Sequence, residues 1–307
     1  MEATDRQLYH RAMRRSLFLL AMLVPVGSLA DLPGSFIEIP DNVTTVLVAE
    51  TGTSTLHRFT RVDGMLRRAE SSYMSIGENG VGKERAWDRR TPLGIYFIND
   101  RLDTSRMHDR YGVLALPLDY PNAWDLRRER TGDGIWLHGV DPNGGKRPPL
   151  DTDGCLALPN DDLLALDPYV QMLVTPVIIT RELDFIPEEA RGEIREKLLE
   201  SMEQWSDSFR DGRWQAYFEL YAEDFSFRGL PRDRWQAYRI GAAATRPLED
   251  FMIDDVIVLA DPEEPDLFLS RFRQSITDAQ GTIRTTKRLY WRREADGSFR
   301  IVAEDNG

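Results

Sequence analysis

The sequence predicts two folded domains of different class, a mainly β domain over residues 31–185 and an α+β domain over residues 186–307. Short apolar runs separated by Gly and Pro fill the first region, which is typical of strands. From Glu188 onward, apolar residues recur at three- and four-residue spacing, which is typical of an amphipathic helix. With 307 residues, 41% hydrophobic and 29% charged, the chain is long enough for two globular cores.

Residues 1–30 have the pattern of a signal peptide. Arg14 and Arg15 precede an apolar run over residues 17–24, and Ser28-Leu29-Ala30 places small residues where a signal peptidase cleaves. The apolar run is too short to cross a bilayer comfortably. We therefore predict secretion with removal of this segment, and a signal anchor that is never cleaved is the alternative.

The mainly β domain is predicted from its apolar runs. Gly and Pro punctuate the chain between them, so each run has the length of a strand rather than of a helix. The predicted strands cover residues 43–50, 56–59, 95–99, 135–138 and 174–180. The segment 183–187, which ends in Pro187, is a plausible hinge to the next domain.

The α+β domain is predicted to begin with helices and to end in an antiparallel sheet. One apolar helical face comprises Ile194, Leu198, Met202, Trp205 and Phe209. Further apolar helical sets follow over residues 214–221 and around residues 235–238. Asp296-Gly297 suits a tight turn between two closing strands.

Charge and cysteine content exclude several kinds of function. The formal net charge of −12 disfavours binding of nucleic acid or of an anionic membrane through bulk electrostatics. A single Cys excludes an internal disulfide, and no Cys/His cluster has the spacing of a zinc site. We predict no metal and no cofactor.

The single cysteine, Cys155, follows Gly154, and His138-Gly139 stands seventeen positions before the cysteine. A thiol that attacks carbonyls needs an imidazole to take its proton, because the thiolate is the nucleophile. We expect His138 to hold that thiolate as an ion pair. Gly154 lets the backbone approach a bound carbonyl, so the N–H groups of Gly154 and Cys155, with Asp153 as a third contributor, are candidates for an oxyanion hole. The alternatives are a buried structural cysteine and a core histidine.

These residues resemble the catalytic signature of the L,D-transpeptidase, or YkuD, family. The resemblance extends to Gly82-Lys83, to the run 88–96 that contains Arg90-Thr91-Pro92, and to residues 118–122. It implies that Cys155 is the nucleophile and His138 the base, and that the Gly139 carbonyl accepts the far ring N–H of His138 as third member of the triad. Downstream, Asn160 is predicted to cap a short helix.

Two positions depart from the commoner family pattern. Asp153 stands where many members have His, and Ala157 stands where many have Arg. An acid beside the nucleophile would raise the pKa of the thiol. Loss of the Arg removes a carboxylate clamp, and Lys146 with Arg147 are the predicted substitutes, with Lys83 and Arg89 as a second candidate pair.

Residues 205–225 are similar to the opening of NTF2-like (SnoaL-like) domains, cones built from helices on a curved sheet. This part of the chain contains no His, so we expect residues 188–307 to fold separately and to bind or assemble rather than to catalyse. A homodimer, and a ligand or partner protein at this domain, remain open.

The pairing of the two domains is found in cell-shape proteins of helical Gram-negative bacteria that trim peptidoglycan tetrapeptides. The resemblance therefore implies a periplasmic enzyme whose partners are peptidoglycan stem peptides, acting as an L,D-transpeptidase through an acyl-enzyme. The first alternative is an L,D-carboxypeptidase that trims tetrapeptides to tripeptides. A non-catalytic wall-binding scaffold is the alternative of another class, and a papain-like peptidase is disfavoured because its His lies downstream of the Cys.

Overall fold

The computed structural model describes residues 32–307, so the predicted signal peptide lies outside the described residues. Strand residues exceed helical ones, 38% against 22%, and the mainly β region precedes the α+β region, which confirms the predicted fold class. Within residues 32–307, no helix is both long enough and apolar enough to cross a membrane.

The first domain is built from short strands and two short helices. The strands are β1 (Phe36–Glu38), β2 (Thr45–Glu50), β3 (Thr55–Val62), β4 (Met65–Tyr73), β5 (Ile76–Gly77), β6 (Gly94–Phe97), β7 (Ala115–Pro117), β8 (Trp136–His138), β9 (Leu150–Thr152), β10 (Leu156–Ala157) and β11 (Pro176–Thr180). The helices are α1 (Ala123–Arg127) and α2 (Asn160–Leu166), with 3₁₀ turns at Asp109–Tyr111 and Asp167–Tyr169.

Two sheets of this domain position the site. The larger has the strand order β4-β3-β2-β11-β6, with β11 parallel to β2 and antiparallel to β6. Strands β2 and β11 are almost wholly buried, as their unbroken apolar sequences require. The smaller sheet has the order β10-β8-β7. All five predicted strands are present, whereas β4 was missed because its largely exposed, charged sequence lacks an apolar run.

The second domain consists of helices packed on a long antiparallel sheet. Its helices are α3 (Glu188–Arg210), α4 (Trp214–Glu219) and α5 (Arg232–Thr245). Its strands are β12 (Ser226–Phe227), β13 (Leu230–Pro231), β14 (Asp250–Ala260), β15 (Leu267–Asp278), β16 (Gly281–Arg293) and β17 (Phe299–Asp305). Helix α3 begins at the predicted change of period, and it buries Leu198, Met202 and Trp205 of the predicted apolar face.

Strand β1 lies within the predicted first domain, which begins at residue 31, but it belongs to the sheet of the second domain. It pairs antiparallel with β14, so the sheet of the second domain has the order β1-β14-β15-β16-β17. Phe36 and Ile37 are buried. Strand pairing is non-local, and the local sequence therefore does not reveal which sheet a three-residue strand joins.

The two domains share one hydrophobic cluster. Val46 and Phe59 of the first domain belong to the same buried cluster as Leu259, Leu269 and Tyr290 of the second domain. Separating the domains would expose this apolar surface to water. Residues 188–307 therefore share part of their core with the first domain, and their separate folding stays a prediction.

Ion pairs and a hydrogen bond reinforce the interface. The buried Arg288 guanidinium contacts both Asp119 of the first domain and Asp305 of its own sheet. The Trp124 indole N–H donates to Glu264 at 3.0 Å. Removing one partner of a buried ion pair leaves the other charge uncompensated, which is strongly destabilising. The second domain therefore holds the first domain in place as well as packing against it.

Candidate active site

His138 lies at the end of strand β8, the central strand of the smaller sheet. The side chain is 3% exposed, and its Nδ1 donates to the Gly139 carbonyl oxygen at 2.6 Å. The contact implied by the family resemblance is therefore present. A carbonyl oxygen can only accept, so the proton resides on Nδ1, and Nε2 is left as the basic nitrogen.

Tyr111 packs against this histidine. The ring centroids of Tyr111 and His138 lie 5.3 Å apart in an edge-on arrangement, and those of Tyr111 and Trp136 lie 5.0 Å apart. Tyr111 was not predicted from the sequence, because the 3₁₀ turn that contains it matches no recognisable catalytic motif. The Tyr111 ring, itself packed against Trp136, therefore restricts the orientation of the imidazole.

Asn160 does not cap helix α2 as predicted. Pro159 occupies the N-cap position without a side-chain hydrogen bond, whereas Asn160 is the first helical residue. Its Oδ1 accepts from the Val140 amide at 3.0 Å, and its Nδ2 donates to the Val140 carbonyl at 2.9 Å. A Cβ at position 139 would collide with Asn160 Oδ1. Gly139 is therefore required for this packing, which holds the chain just after His138.

Cys155 follows a tight turn between β9 and β10. Gly154 has a φ of 124°, and a Cβ there would lie 2.7 Å from the Arg90 carbonyl oxygen. Thr152 Oγ1 accepts from the Gly154 amide at 3.1 Å and donates to the Cys155 carbonyl at 2.7 Å. Without a ligand the Gly154 N–H is therefore engaged by Thr152, a residue that the sequence patterns did not indicate, and its oxyanion role stays a prediction.

The register of the smaller sheet brings the two candidate catalytic residues to one edge. Strands β8 and β10 run parallel, with Leu137 opposite Leu156 and His138 opposite Ala157. His138 and Cys155 both line an open cleft of about 930 Å³. The Cys155 thiol donates to the Gly134 carbonyl at 3.3 Å. Among residues 32–307, no group of three or more His, Cys, Asp or Glu side chains could hold a metal ion.

Burial determines the protonation states of the two residues. Desolvation raises the pKa of the Cys155 thiol to about 11, and the nearby Asp153 carboxylate acts in the same direction. Desolvation lowers the pKa of His138 to about 4, assisted by the charges of Arg147 and Arg110. At neutral pH the thiol and the imidazole are therefore both uncharged. These shifts disfavour the expected thiolate–imidazolium ion pair in the resting protein, and that pair stays a prediction to be tested by titration.

Two guanidinium groups flank Asp153. Arg110 Nη1 lies 3.3 Å from Asp153 Oδ2, and Arg89 Nε lies 3.8 Å from Asp153 Oδ1. Both arginines line the cleft. The acid beside the candidate nucleophile is therefore balanced by neighbouring cations. Arg110 was missed in the sequence because it is 45 positions away from Cys155 and becomes a neighbour only through folding.

The predicted carboxylate-binding residues separate into two groups. Arg147, Arg89 and Lys83 line the cleft, and Arg147 Nε binds Asp151 Oδ2 at 2.7 Å. Lys146 is outside the set of described residues that line the cleft, and its ammonium lies 4.7 Å from the centre of the Tyr73 ring. Lys146 therefore lies apart from the residues that line the cleft, and its role as a binding residue stays a prediction.

Comparisons with known proteins agree with this architecture. Residues 45–179 match the L,D-transpeptidase catalytic domain family (YkuD), and residues 197–305 match the Cds6 C-terminal NTF2-like domain family. No curated protein matches the chain.

Two solved structures share the fold over both domains. Bd1075 from Bdellovibrio bacteriovorus is 23% identical, with a TM-score of 0.71, over 90% of this chain and 98% of that one. The helical cell shape determining protein Pgp2 from Campylobacter jejuni is 22% identical, with a TM-score of 0.72, over 85% of this chain and 91% of that one. At these identities the similarity establishes the fold.

Proposed function

We propose that this chain, which carries an L,D-transpeptidase catalytic domain followed by an NTF2-like domain, cleaves the L,D bond of peptidoglycan tetrapeptide stems through an acyl-enzyme on Cys155. The observation that carries the proposal is the His138–Gly139 hydrogen bond in the same cleft as the single thiol of the chain. That bond leaves Nε2 of a neutral imidazole ready to accept a proton.

In the first half-reaction, His138 Nε2 removes the thiol proton as Cys155 Sγ attacks the carbonyl carbon at the L-centre of diaminopimelate. A carbon–sulfur bond forms, and the carbonyl π electrons move to oxygen. The tetrahedral intermediate collapses by breaking the C–N bond to the terminal D-Ala, whose amine leaves with the proton held by His138. Because both groups are neutral at rest, proton transfer accompanies attack rather than preceding it.

The oxyanion needs a donor that is not already committed. The Gly154 amide is bonded to Thr152. We therefore assign the Cys155 amide as the principal donor, with Gly154 contributing only when Thr152 releases it. Arg110 and Arg147 supply positive charge on the same side, since both lower the pKa of the thiol and of the imidazole.

The second half-reaction distinguishes a transpeptidase from a carboxypeptidase. We propose transfer to the side-chain amine of a second stem, because the cleft of about 930 Å³ is near the top of the roughly 300–1,000 Å³ range of ligand pockets and has room for donor and acceptor. Hydrolysis to a tripeptide is the second candidate. It is favoured by the similarity along most of the chain to a protein that determines helical cell shape. Both reactions require a periplasmic location and pass through the same acyl-enzyme.

The test is to incubate pure full-length protein with tetrapeptide muropeptides, with and without an acceptor stem, and to identify the products by mass spectrometry. We expect D-Ala release together with a cross-linked product, whereas tripeptide alone would identify a carboxypeptidase. Cys155→Ala and Cys155→Ser should both abolish release while retaining the native circular dichroism spectrum. Continued D-Ala release by Cys155→Ala would overturn the assignment, and an inactive wild-type protein that binds sacculi would favour the scaffold alternative.

A further inference from the structure

Trp87 is an unusual residue in the wall of the catalytic cleft. It lines the same cleft as Cys155, yet its side chain is 93% exposed. A Trp in a folded protein normally buries most of its large apolar surface. The exposed ring therefore requires an explanation other than core packing.

The backbone at Trp87 is strained as well. Its φ is 66°, and the φ of Arg89 two residues later is 56°. Left-handed backbone is unfavourable for a bulky L-residue, and such strain persists where the surrounding structure imposes it, often at binding sites. Gly would relieve the strain at position 87, but it would remove the ring.

Asp88 anchors the loop that carries Trp87. Its Oδ1 accepts from the ammonium of Lys83 at 2.8 Å, and Lys83 is 4% exposed. Its Oδ2 accepts from the amides of Glu84 and Arg85 at 2.8 and 2.9 Å. Burial acts to raise the pKa of Asp88, but these hydrogen bonds prevail and lower it to about 2. The carboxylate is therefore charged at all ordinary pH values, and it holds the loop in one conformation.

We propose that Trp87 is a stacking platform for a pyranose ring of the glycan strand that carries the stem peptide. The proposal rests on the proposed function, which places that stem at Cys155. The C–H groups on one face of a pyranose are weakly positive and pack against the negative face of an indole ring. The hydroxyl groups at the edge of the same sugar need polar partners.

The surroundings of Trp87 match a sugar better than an apolar partner. Glu78, Arg89 and Asp133 line the same cleft and offer charged hydrogen-bonding groups. Glu78 and Arg89 form an ion pair, with Arg89 Nη1 2.5 Å from Glu78 Oε2. A purely apolar ligand would desolvate this ion pair and the Asp133 carboxylate without giving them new hydrogen bonds, which is costly. A sugar can cover the indole and bond the charged groups at once, and a single ligand of peptide and sugar can reach both Cys155 and Trp87.

The experiment compares two ligands by calorimetry on full-length Cys155→Ser protein: a free tetrapeptide stem, and the same stem attached to its disaccharide. We expect the disaccharide form to bind at least about tenfold more tightly. Trp87→Ala should bring the two dissociation constants together, and Trp87→Phe should retain part of the difference. Tyr238→Ala removes another exposed aromatic, 62% exposed on α5, and serves as the matched control that should keep the full difference.

Trp87→Gly separates the ring from the strain. It should raise the melting temperature by a few degrees, while losing the preference for the disaccharide form as Trp87→Ala does. The proposal is overturned if the parent protein binds both ligands equally or binds neither, or if Trp87→Ala keeps the preference. An equal loss of affinity for both ligands would assign the ring to the peptide instead. The ratio of the two dissociation constants is measured without turnover. A negative result for the sugar platform can therefore be distinguished from a negative result for the proposed function, which is the failure of the wild-type protein to release D-Ala.

Discussion

The protonation state of Cys155 leads to a quantitative prediction for its alkylation by iodoacetamide. A thiol with a pKa of about 11 is ionised to about one part in 10⁴ at pH 7, against about 3% for an ordinary thiol with a pKa of about 8.5. The thiolate of higher pKa is about tenfold more nucleophilic, which offsets part of this roughly 300-fold deficit. Alkylation of the folded protein at pH 7 should therefore be about 30-fold slower than that of an unhindered thiol.

The assay measures the second-order rate by mass spectrometry between pH 5 and pH 11. The same chain unfolded in guanidinium chloride is the matched reference, because Cys155 is the single cysteine in both states. We expect the rate for the folded protein to rise about tenfold per pH unit up to about pH 10 without a plateau near neutrality. Steric hindrance would lower the rate by a constant factor, so the shape of the profile isolates the pKa.

The variant His138→Gln tests whether the His138 imidazole is neutral in the resting protein. The pKa of His138 is lowered to about 4, so the ring is neutral at pH 7 and lends no charge to the thiol. Alkylation at pH 7 should change by less than about twofold, whereas acylation by substrate, which needs the base, should fall by about 10² or more. A plateau in the wild-type profile between pH 5 and pH 8 that His138→Gln abolishes would refute the neutral pair and restore the ion pair.

Two further predictions concern the support of the site and Asp261, which lies between β14 and β15 and lines a small cavity together with Asn122 and Trp124 of the first domain. Thr152→Val removes the hydroxyl that bonds both the Gly154 amide and the Cys155 carbonyl. It should slow D-Ala release from tetrapeptide stems about 10- to 100-fold, and Thr152→Ser should restore most of the rate; equal rates for Thr152→Val and the wild type would contradict this role. Burial raises the pKa of Asp261 to about 7, so the folded protein binds this proton more tightly than the unfolded chain does. The stability contributed by Asp261 is therefore present below about pH 4 and is lost as pH rises to about 7, an effect of at most about 4 kcal/mol. Asp261→Asn keeps an oxygen for the amides of Glu263 and Glu264, and it should raise the melting temperature at pH 8 but not at pH 4; an equal rise at both would show that Asp261 does not titrate in this range.

Local sequence determined the candidate catalytic residues. The His138-Gly139 and Gly154-Cys155 pairs are recognisable because a scarce thiol, a scarce imidazole and two flexible glycines stand at short separation. The beginning of α3 at Glu188 was equally predictable, since the periodicity of apolar residues depends on neighbours within a few turns. These features are determined by interactions over short stretches of chain.

The protonation states and the surroundings of Cys155 and His138 were decided by the tertiary structure alone. The neutral states of the thiol and the imidazole follow from desolvation by several elements. The residues that neighbour them in the sequence do not reveal this desolvation. Arg110 reaches Asp153, and β1 joins the sheet of the second domain, only because distant segments fold together. Sequence patterns report the conformation of nearby residues, whereas desolvation, ion pairing and strand partnership depend on the packing of the whole chain.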